Sequence, residues 1–321
     1  MPLTAWFNVF MIVVGLVGLW RFGDWVVCSL VELARRFNIS TFFLGFVILA
    51  LAADIPELGL AIVSALQGAS QVSVGDIIGA NFTDIALVVG ATLLLAGSRM
   101  TLLESDRKTL LMLLSLTTAI LASIFWIGSL HRIHGVMLVA LYGIVLWWLW
   151  RNREASELVH TDVEQNHDPE RHPYPIAVLI GKIGVGIALV MGSSYLVVNY
   201  AVALATSWNV SLETIGATIC GVGTSLPELA LSLGAIRRGY YTLAIGPTLG
   251  TVLSQSTLIL GILACLSKEP VQLAGVGHAA WFMFAALALI GFGLMRVGRI
   301  GRGMGAALIS LFVTFLMYHV Q

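Results

Sequence analysis

Two Pro-Glu dipeptides, Pro56-Glu57 and Pro227-Glu228, stand inside long apolar runs of the 321-residue sequence. A carboxylate at the centre of a membrane is unfavourable by about 2.5 to 3.5 kcal/mol on insertion scales. The structural alternative is a proline kink beside a protonated, hydrogen-bonded glutamate. A proline in a helix interior and a carboxylate in a membrane are both unfavourable. Because they occur together at both places, the pattern favours a functional site, with Glu57 and Glu228 at its centre.

Proline also changes the backbone one turn earlier. It lacks the N–H that would bond the carbonyl four residues before it, which here frees the carbonyls of Ala52 and Gly223. Inside a bilayer such a carbonyl needs protein, water or an ion as a partner. Carbonyl and carboxylate oxygens are the hard ligands that calcium and sodium prefer. The two dipeptides therefore predict a cation site near the middle of a membrane.

The surroundings of the two dipeptides match each other without gaps at a spacing of 171 residues. Segment 45–63 falls on segment 216–234, and the identities include Gly45, Pro56 and Glu57. Those residue types define backbone shape and charge, so chance similarity between apolar helices would rarely align them. The chain is therefore predicted to contain an internal repeat.

A second set of polar residues lies in the apolar run that follows each dipeptide. Asp84 matches Gln255, and four residues earlier Ala80 matches Thr251. Glycines recur in both runs, and small residues let membrane helices approach closely. We expect these positions to lie mid-span, where they can turn toward the two glutamates.

Membrane helices are the elements that must position these residues. Only 11% of the residues are charged, 58% are hydrophobic and the mean hydropathy is +0.94, which is far from the composition of a soluble domain. Each apolar run is near the ~20 residues that cross the hydrocarbon core. The predicted spans are 5–33, 40–66, 72–97, 108–127, 134–150, 176–205, 211–236, 242–266, 273–295 and 303–320.

The charged stretch 151–175 is predicted to be a cytosolic linker between two halves, 1–150 and 176–321, of five spans each. With the N-terminus outside, thirteen Lys and Arg residues fall in inner loops and two, Arg132 and Lys268, in outer loops. This is a strong positive-inside bias. Five spans per half make the second half insert upside down relative to the first. The expected fold is an all-α protein of the cell membrane, with ten transmembrane helices in two inverted repeats, discontinuous helices at the midplane and both termini outside.

Other features exclude several classes of function. Zero net charge provides no overall field for nucleic acid. The sequence has no HExxH motif or nucleophile–base pair, so no enzyme is expected.

Arg21, inside the first span, is expected to pair with Asp24 one turn later. The expected partners are the lipid bilayer and inorganic cations, without a cofactor; a monomer is plausible, but the oligomeric state stays open.

The motif GTSLPEL at 223–229 resembles the alpha repeat of the cation/calcium antiporter superfamily, and GANFTD at 79–84 resembles a second element of that repeat. The superfamily includes sodium/calcium, potassium-dependent sodium/calcium and proton/calcium exchangers. The resemblance implies that the first and sixth spans slide across the rest of the molecule. By position it implies cation ligands at Glu57, Glu228, Asp54, Asp84, Thr224, Ser225, Thr251 and Gln255, of which the four carboxylates would hold a divalent metal ion.

The first repeat departs from the family pattern just before its glutamate. Ala53 and Asp54 stand where the family has Thr-Ser, while Asp84 and Gln255 reverse and modify the usual order of amide and carboxylate. The four mid-span carboxylates are one more than a sodium/calcium exchanger is expected to have. Four like charges in a partly dry site cannot all stay ionised without cations. The sequence therefore permits sodium coupling, proton coupling or a divalent ion other than calcium.

The expected function is secondary active antiport that exchanges calcium for sodium by alternating access. One alternative is a proton-coupled or non-calcium divalent cation exchanger. A less favoured alternative is a non-transporting cation sensor or a channel. A channel would need a continuous pore with charged rings, whereas paired broken helices favour an occluded, alternating site.

Overall fold

A computed structural model describes residues 3–37, 44–97, 104–151, 174–208, 221–273, 276–296 and 301–320. Within these ranges the chain is helical apart from short turns and one antiparallel sheet of two short strands, β1 (Ser129–Leu130) and β2 (Val271–Gln272). Most of the predicted linker, residues 152–173, lies outside the described residues.

Twelve helical elements are described. The first half contains α1 (Leu3–Phe37), α2 (π-helical Leu44–Leu49 continued by Ala50–Ala53), α3 (Ile55–Gln67), α4 (Ser70–Thr83, π-helical Asp84–Val89 and Gly90–Ala96), α5 (Glu104–Ile127) and α6 (Arg132–Arg151). The second half contains α7 (Ile176–Ser207), α8 (Gly221–Thr224), α9 (Leu226–Arg237), α10 (Tyr241–Ser254, π-helical Gln255–Ile259 and Leu260–Leu266), α11 (Gly277–Arg296) and α12 (Arg302–Val320).

Seven of these helices are long and apolar enough to cross a membrane, counted over the described residues. An eighth span results if α2 and α3, which meet at a 50° bend, are counted as one. The apolar helix at Arg302–Tyr318 is shorter, and the span predicted at 211–236 lies partly outside the described residues. The prediction of a helical membrane protein is confirmed, whereas the count of ten spans stays a prediction.

The helix bounds recur at the spacing of 171 residues. The break between α2 and α3 falls at Asp54, and the break between α8 and α9 falls at Ser225. The α-helical geometry changes to π-helical at Asp84 in α4 and at Gln255 in α10. π-Helical turns are rare in proteins, but those that occur are often at functional sites. Both halves therefore place their breaks and their irregular turns at matched positions.

Helices α4 and α10 lie at the centre of the molecule. In the most apolar window of each, 78% of the residues are buried, against 17–39% in the other five long helices. A Cβ atom at Gly250 of α10 would meet the backbone carbonyl of Phe46 in α2. The close helix approach expected at the glycines is therefore confirmed at Gly250, where α2 lies against α10. It is not found at Gly79, where an added Cβ atom would meet nothing within 4 Å among the described residues.

Helices α1 and α7 pack along each other and together onto α9. A hydrophobic cluster that includes Val26, Ile183 and Leu231 joins the three helices. A Cβ atom at Gly23 of α1 would lie 2.8 Å from the carbonyl oxygen of Ala230, so no larger residue fits there. Helix α3, the counterpart of α9, is instead largely uncovered. The two halves thus share their helix bounds but not their surroundings.

Asp24 forms its ion pair across the molecule rather than along its own helix. The Nε and Nη2 atoms of Arg238 donate to the two carboxylate oxygens of Asp24 at 2.7 and 2.6 Å. Arg21, the expected partner, has no carboxylate within 4 Å among the described residues. The expectation was wrong because the turn after α9 presents a guanidinium in the bidentate geometry that carboxylates favour.

Candidate cation-binding site

Seven of the eight predicted ligand residues are buried together around the two helix breaks. These residues, with exposed fractions of 5% or less, are Asp54, Glu57, Asp84, Ser225, Glu228, Thr251 and Gln255. They come from the starts of α3 and α9 and from the middles of α4 and α10. The eighth, Thr224, is exposed at the end of α8, so it does not share the buried environment of the others.

The two glutamates occupy the first turns of α3 and α9, directly after the breaks. In both helices proline lies just before the glutamate, where its missing N–H disturbs no helical hydrogen bond. The first N–H groups of a helix lack intrahelical partners, and the helix dipole favours negative charge there. Each Pro-Glu pair therefore begins a new helix and places its carboxylate where negative charge is favoured.

The carbonyl of Gly223, which Pro227 was predicted to free, has a partner in the protein. The hydroxyl of Ser194 in α7 donates to it at 2.8 Å. The residue that matches Ser194 in the first half is Gly23, which carries no donor. Sequence reasoning missed Ser194, and its signal was a pair of serines within the apolar run of α7.

Asp54 accepts hydrogen bonds on both carboxylate oxygens. The Nε2 atom of Gln255 donates to Oδ1 at 2.8 Å, and the hydroxyl of Ser254 donates to Oδ2. Both donors belong to α10, so the helix break of the first half is tied to the central helix of the second. Sequence reasoning missed Ser254, although the hydroxyl-rich run TVLSQST in an apolar span was an available signal.

Asp84 is held more weakly than Asp54. The Thr251 hydroxyl lies 3.4 Å from its Oδ2, at the limit for a hydrogen bond, and also donates to the Thr248 carbonyl at 2.8 Å. Ser225 lies beside the Asp84 carboxylate, but its hydroxyl has no partner within good hydrogen-bonding geometry. The side chains that surround Asp84 therefore leave it with spare capacity to bind a cation.

Asn81 was missed as a link between the two central helices. Its Nδ2 atom donates to the Ser256 hydroxyl at 3.2 Å, and both residues are fully buried. The Asn81 Oδ1 atom has no partner among the described residues. The bond fixes α4 against α10 one turn from the carboxylates.

The four carboxylates lie close enough to repel one another. Glu228 experiences the charges of Asp84, Glu57 and Asp54, and Glu57 experiences those of Asp54 and Asp84. Within the described part of the chain, no Lys or Arg side chain contributes to the charge interactions of these four groups. Buried charges are normally paired or bound to a metal. With all four carboxyl groups ionised, the site would therefore carry four negative charges that no Lys or Arg of the described residues balances.

Several carboxylate oxygens remain open to a ligand. One oxygen each of Glu57, Asp84 and Glu228 is buried without a hydrogen-bond partner among the described residues. In this conformation, no three acidic, histidine or cysteine side chains of the described residues lie close enough to hold a metal ion between them. The arrangement therefore offers free carboxylate oxygens from three separate helices.

Comparison with known proteins identifies the family. The sequence matches the family described as sodium/calcium exchanger protein over residues 7–151 and 178–321, which together form most of the chain. The chain belongs to the sodium/calcium exchanger protein family. The family resemblance predicted from the motifs is therefore confirmed. Its members are transporters, so the protein is a membrane antiporter of inorganic cations rather than an enzyme.

Several relatives match along almost their whole length. A protein named antiporter CaxA from Alkalimonas amylolytica is 30% identical, over 95% of this chain and 96% of that protein. The sodium/calcium exchanger MaX1 of Methanosarcina acetivorans is 26% identical, over 97% of each. The sodium-calcium exchanger NCX_Mj, in crystals soaked with Na⁺ and Sr²⁺, superposes with a TM-score of 0.80 at 23% identity over 98% of both chains. This last match shows a shared fold.

Proposed function

We propose that this member of the exchanger family is a secondary active antiporter that exchanges Ca²⁺ for Na⁺ by alternating access. The observation that carries the proposal is the cluster of four buried carboxylates, which no Lys or Arg of the described residues balances. In the proposed site, Asp54, Glu57, Asp84 and Glu228 bind the divalent ion. The remaining cation ligands come from Thr224, Ser225, Thr251 and Gln255.

Electrostatics supports cation binding as the role of this cluster. A buried carboxylate without a partner costs several kcal/mol, and four neighbouring ones add mutual repulsion. Hard cations remove this cost because they bind carboxylate, hydroxyl and amide oxygens, which are the atoms that line the site. Calcium and sodium are therefore the proposed substrates, and no resident cofactor is proposed.

Alternating access is supported by the unequal surroundings of the two halves. Helices α1 and α7 cover α9 and bury Pro227 and Glu228, whereas Ile55 in α3 is 57% exposed and Val63 is 50% exposed. In inverted repeats, the two access states arise when the halves exchange conformations. We propose that α1 and α7 slide from α9 toward α3 and so open the site to the opposite side.

The proposed topology is ten spans in two inverted halves, 1–150 and 176–321, joined by the cytosolic linker 151–175. Contacts between helix ends are consistent with this sidedness. Strands β1 and β2 pair two predicted outer loops, and the Ser70 and Ser267 hydroxyls, also outer, are 2.7 Å apart. The proposed orientation has both termini outside the cell membrane, because basic residues concentrate on the linker side.

The names of two similar proteins support the choice of ions. MaX1 is named a sodium/calcium exchanger, and the NCX_Mj structures were obtained with Na⁺ and with Ca²⁺ or Sr²⁺. The ligand residues of the present chain are oxygen donors throughout. The same ions are therefore the first candidates for this protein.

A second candidate function is proton-coupled or non-calcium divalent exchange, which one residue favours. Asp54 stands where the family resemblance predicts a serine, and its carboxylate is buried next to Gln255. A fourth carboxylate requires one more positive charge when the site is occupied, and a proton can supply it. The same transport assay separates this candidate from sodium coupling.

The experiment is uptake of radiolabelled calcium into proteoliposomes under separately imposed sodium and proton gradients. The proposal expects uptake that depends on an outward sodium gradient and persists when the proton gradient is collapsed with an ionophore. Glu228→Gln supplies the matched inactive control. Uptake driven only by a proton gradient would support the second candidate, and the absence of cation exchange under both gradients would contradict the proposed function.

A further inference from the structure

A half-open cavity of about 740 Å³ lies apart from the four carboxylates, beside the ion pair that joins α1 to the turn after α9. Its walls come from α1, from the start of α7 and from that turn. The charged residues of its lining are Arg21, Asp24, Glu32, Lys182 and Arg238. None of the proposed cation ligands lines this cavity.

The acidic residues of the cavity already have basic partners, which leaves two cations for a ligand. Asp24 is held by the bidentate guanidinium of the turn, and Glu32 lies 3.7 Å from Arg36 on the next turn of α1. Arg21 and Lys182 have no carboxylate within 4 Å in the part of the chain that the structure describes. The cavity therefore presents uncompensated positive charge, from α1 on one wall and α7 on the other.

Aromatic side chains complete the lining. Phe22, Trp25 and Tyr174 face the cavity, and the Lys182 ammonium lies 3.2 Å from the centre of the Tyr174 ring. Trp20, next to Arg21 in α1, is 58% exposed on the outer surface of the helix. Tryptophan and tyrosine beside basic residues are typical of helix segments at the boundary between lipid and water.

We propose that this cavity binds the headgroup of an anionic phospholipid, with Arg21 and Lys182 as the phosphate-binding residues. Arginine binds phosphate oxygens in a planar fork, and lysine acts as a point charge. Basic pockets between membrane helices bind anionic headgroups, and the apolar walls formed by Phe22 and Leu179 suit the glycerol and first acyl carbons. A soluble phosphate would need the two cations but would gain nothing from the apolar and aromatic walls.

The bound headgroup bridges α1 and α7, because one cation comes from each helix. Its effect on exchange rests on the proposed function, in which these two helices move as a pair. The binding of the headgroup does not rest on the proposed function, so binding is the property to measure.

The test is native mass spectrometry of the detergent-purified protein titrated with phosphatidylglycerol and, separately, phosphatidylcholine. The wild type is expected to retain phosphatidylglycerol in preference to phosphatidylcholine. The double variant Arg21→Gln/Lys182→Gln is expected to bind phosphatidylglycerol about 30-fold more weakly, since each cation near an anionic lipid contributes about fivefold. The matched control Arg151→Gln/Arg302→Gln removes two exposed arginines elsewhere and is expected to bind like the wild type. If the double variant unfolds, Lys182→Gln alone is expected to lose about fivefold.

Three outcomes would overturn the assignment. The first is equal binding of both lipids by the wild type, and the second is equal binding of phosphatidylglycerol by the wild type and the folded cavity variant. The third is displacement of the lipid by millimolar inorganic phosphate or glycerol 3-phosphate, which would assign the cavity to a soluble phosphate compound. If the protein binds phosphatidylglycerol as expected but shows no calcium exchange, that result would count against the proposed function and not against the lipid assignment.

Discussion

Replacement of Asp54 by asparagine tests whether its carboxylate sets the number of cations that the protein carries in each cycle. The change keeps the size of the side chain and removes one negative charge from the cluster. The hydrogen bond from Gln255 to Oδ1, 2.8 Å long, can be kept, and the Ser254 hydroxyl can accept a bond instead of donating one. Each bond changes from charged to neutral, which lowers stability, whereas the loss of one negative charge relieves the repulsion with Glu57 and Asp84. We therefore expect a small net change in the free energy of unfolding, with the fold retained.

The expected effect on transport follows from charge balance. With Asp54 the site holds four carboxylates, and without it three, so the occupied site needs one monovalent cation or proton fewer per cycle. A tenfold sodium gradient contributes about 1.4 kcal/mol for each sodium ion that is coupled. If Asp54 serves sodium, Asp54→Asn should lower the calcium gradient at zero net flux about tenfold when the sodium gradient is tenfold and the membrane potential is zero.

Two measurements separate sodium from protons. Zero-flux calcium gradients in proteoliposomes report the number of sodium ions, and calorimetry of divalent binding in buffers of different ionisation enthalpy, from about pH 5.5 to 8.5, reports the number of protons released. Asp54→Ser, which restores the serine of the family pattern, is the companion variant and should shift coupling toward sodium. Unchanged zero-flux gradients together with equal proton release in wild type and Asp54→Asn would refute the reasoning and make Asp54 a structural acceptor for α10.

Three further predictions follow from the structure. Glu57→Gln and Glu228→Gln should each abolish divalent transport while leaving the protein folded and monodisperse, and normal transport by either would remove the proposed site. A single cysteine in the 151–175 linker should be shielded from an impermeant thiol reagent added outside intact cells, whereas labelling as fast as in the loop between α5 and α6 would contradict the topology. Asp24→Asn and Arg238→Gln should show a coupling of about 1 kcal/mol in a double-mutant cycle of unfolding, because the pair is bidentate and partly buried; additive effects would contradict this.

The sequence predicted the parts of the site that depend on local chemistry. Proline at a fixed distance from glutamate specifies where a helix starts, so the two breaks and the burial of Glu57 and Glu228 could be inferred from residue types alone. The spacing of 171 residues then located Asp84 and Gln255 on the two central helices. These positions share a pattern along the chain, and the helix bounds recur as that pattern requires.

The contacts that the sequence did not predict join residues far apart in the chain. Asp54 is bonded by Ser254, 200 residues away, and Asp24 by Arg238, 214 residues away. Such pairs depend on which helices pack together, and periodicity contains no information about that. The exposure of Thr224, which stays a proposed ligand, shows the same limit, because a motif position does not specify which helices cover a side chain.

The departures from symmetry between the halves favour one access state over the other. In the described conformation α1 and α7 cover α9, and the ion pair of Asp24 and Arg238 holds them there. In the proposed alternating-access cycle the halves exchange conformations, and the matched residues are then Tyr195 and Gln67, which cannot form an ion pair. The described state therefore gains a contact that the exchanged state lacks, and a coupling of about 1 kcal/mol changes the ratio of the two populations about fivefold. Because a ligand shifts this ratio only through unequal affinity for the two states, the ions must overcome that bias in every transport cycle.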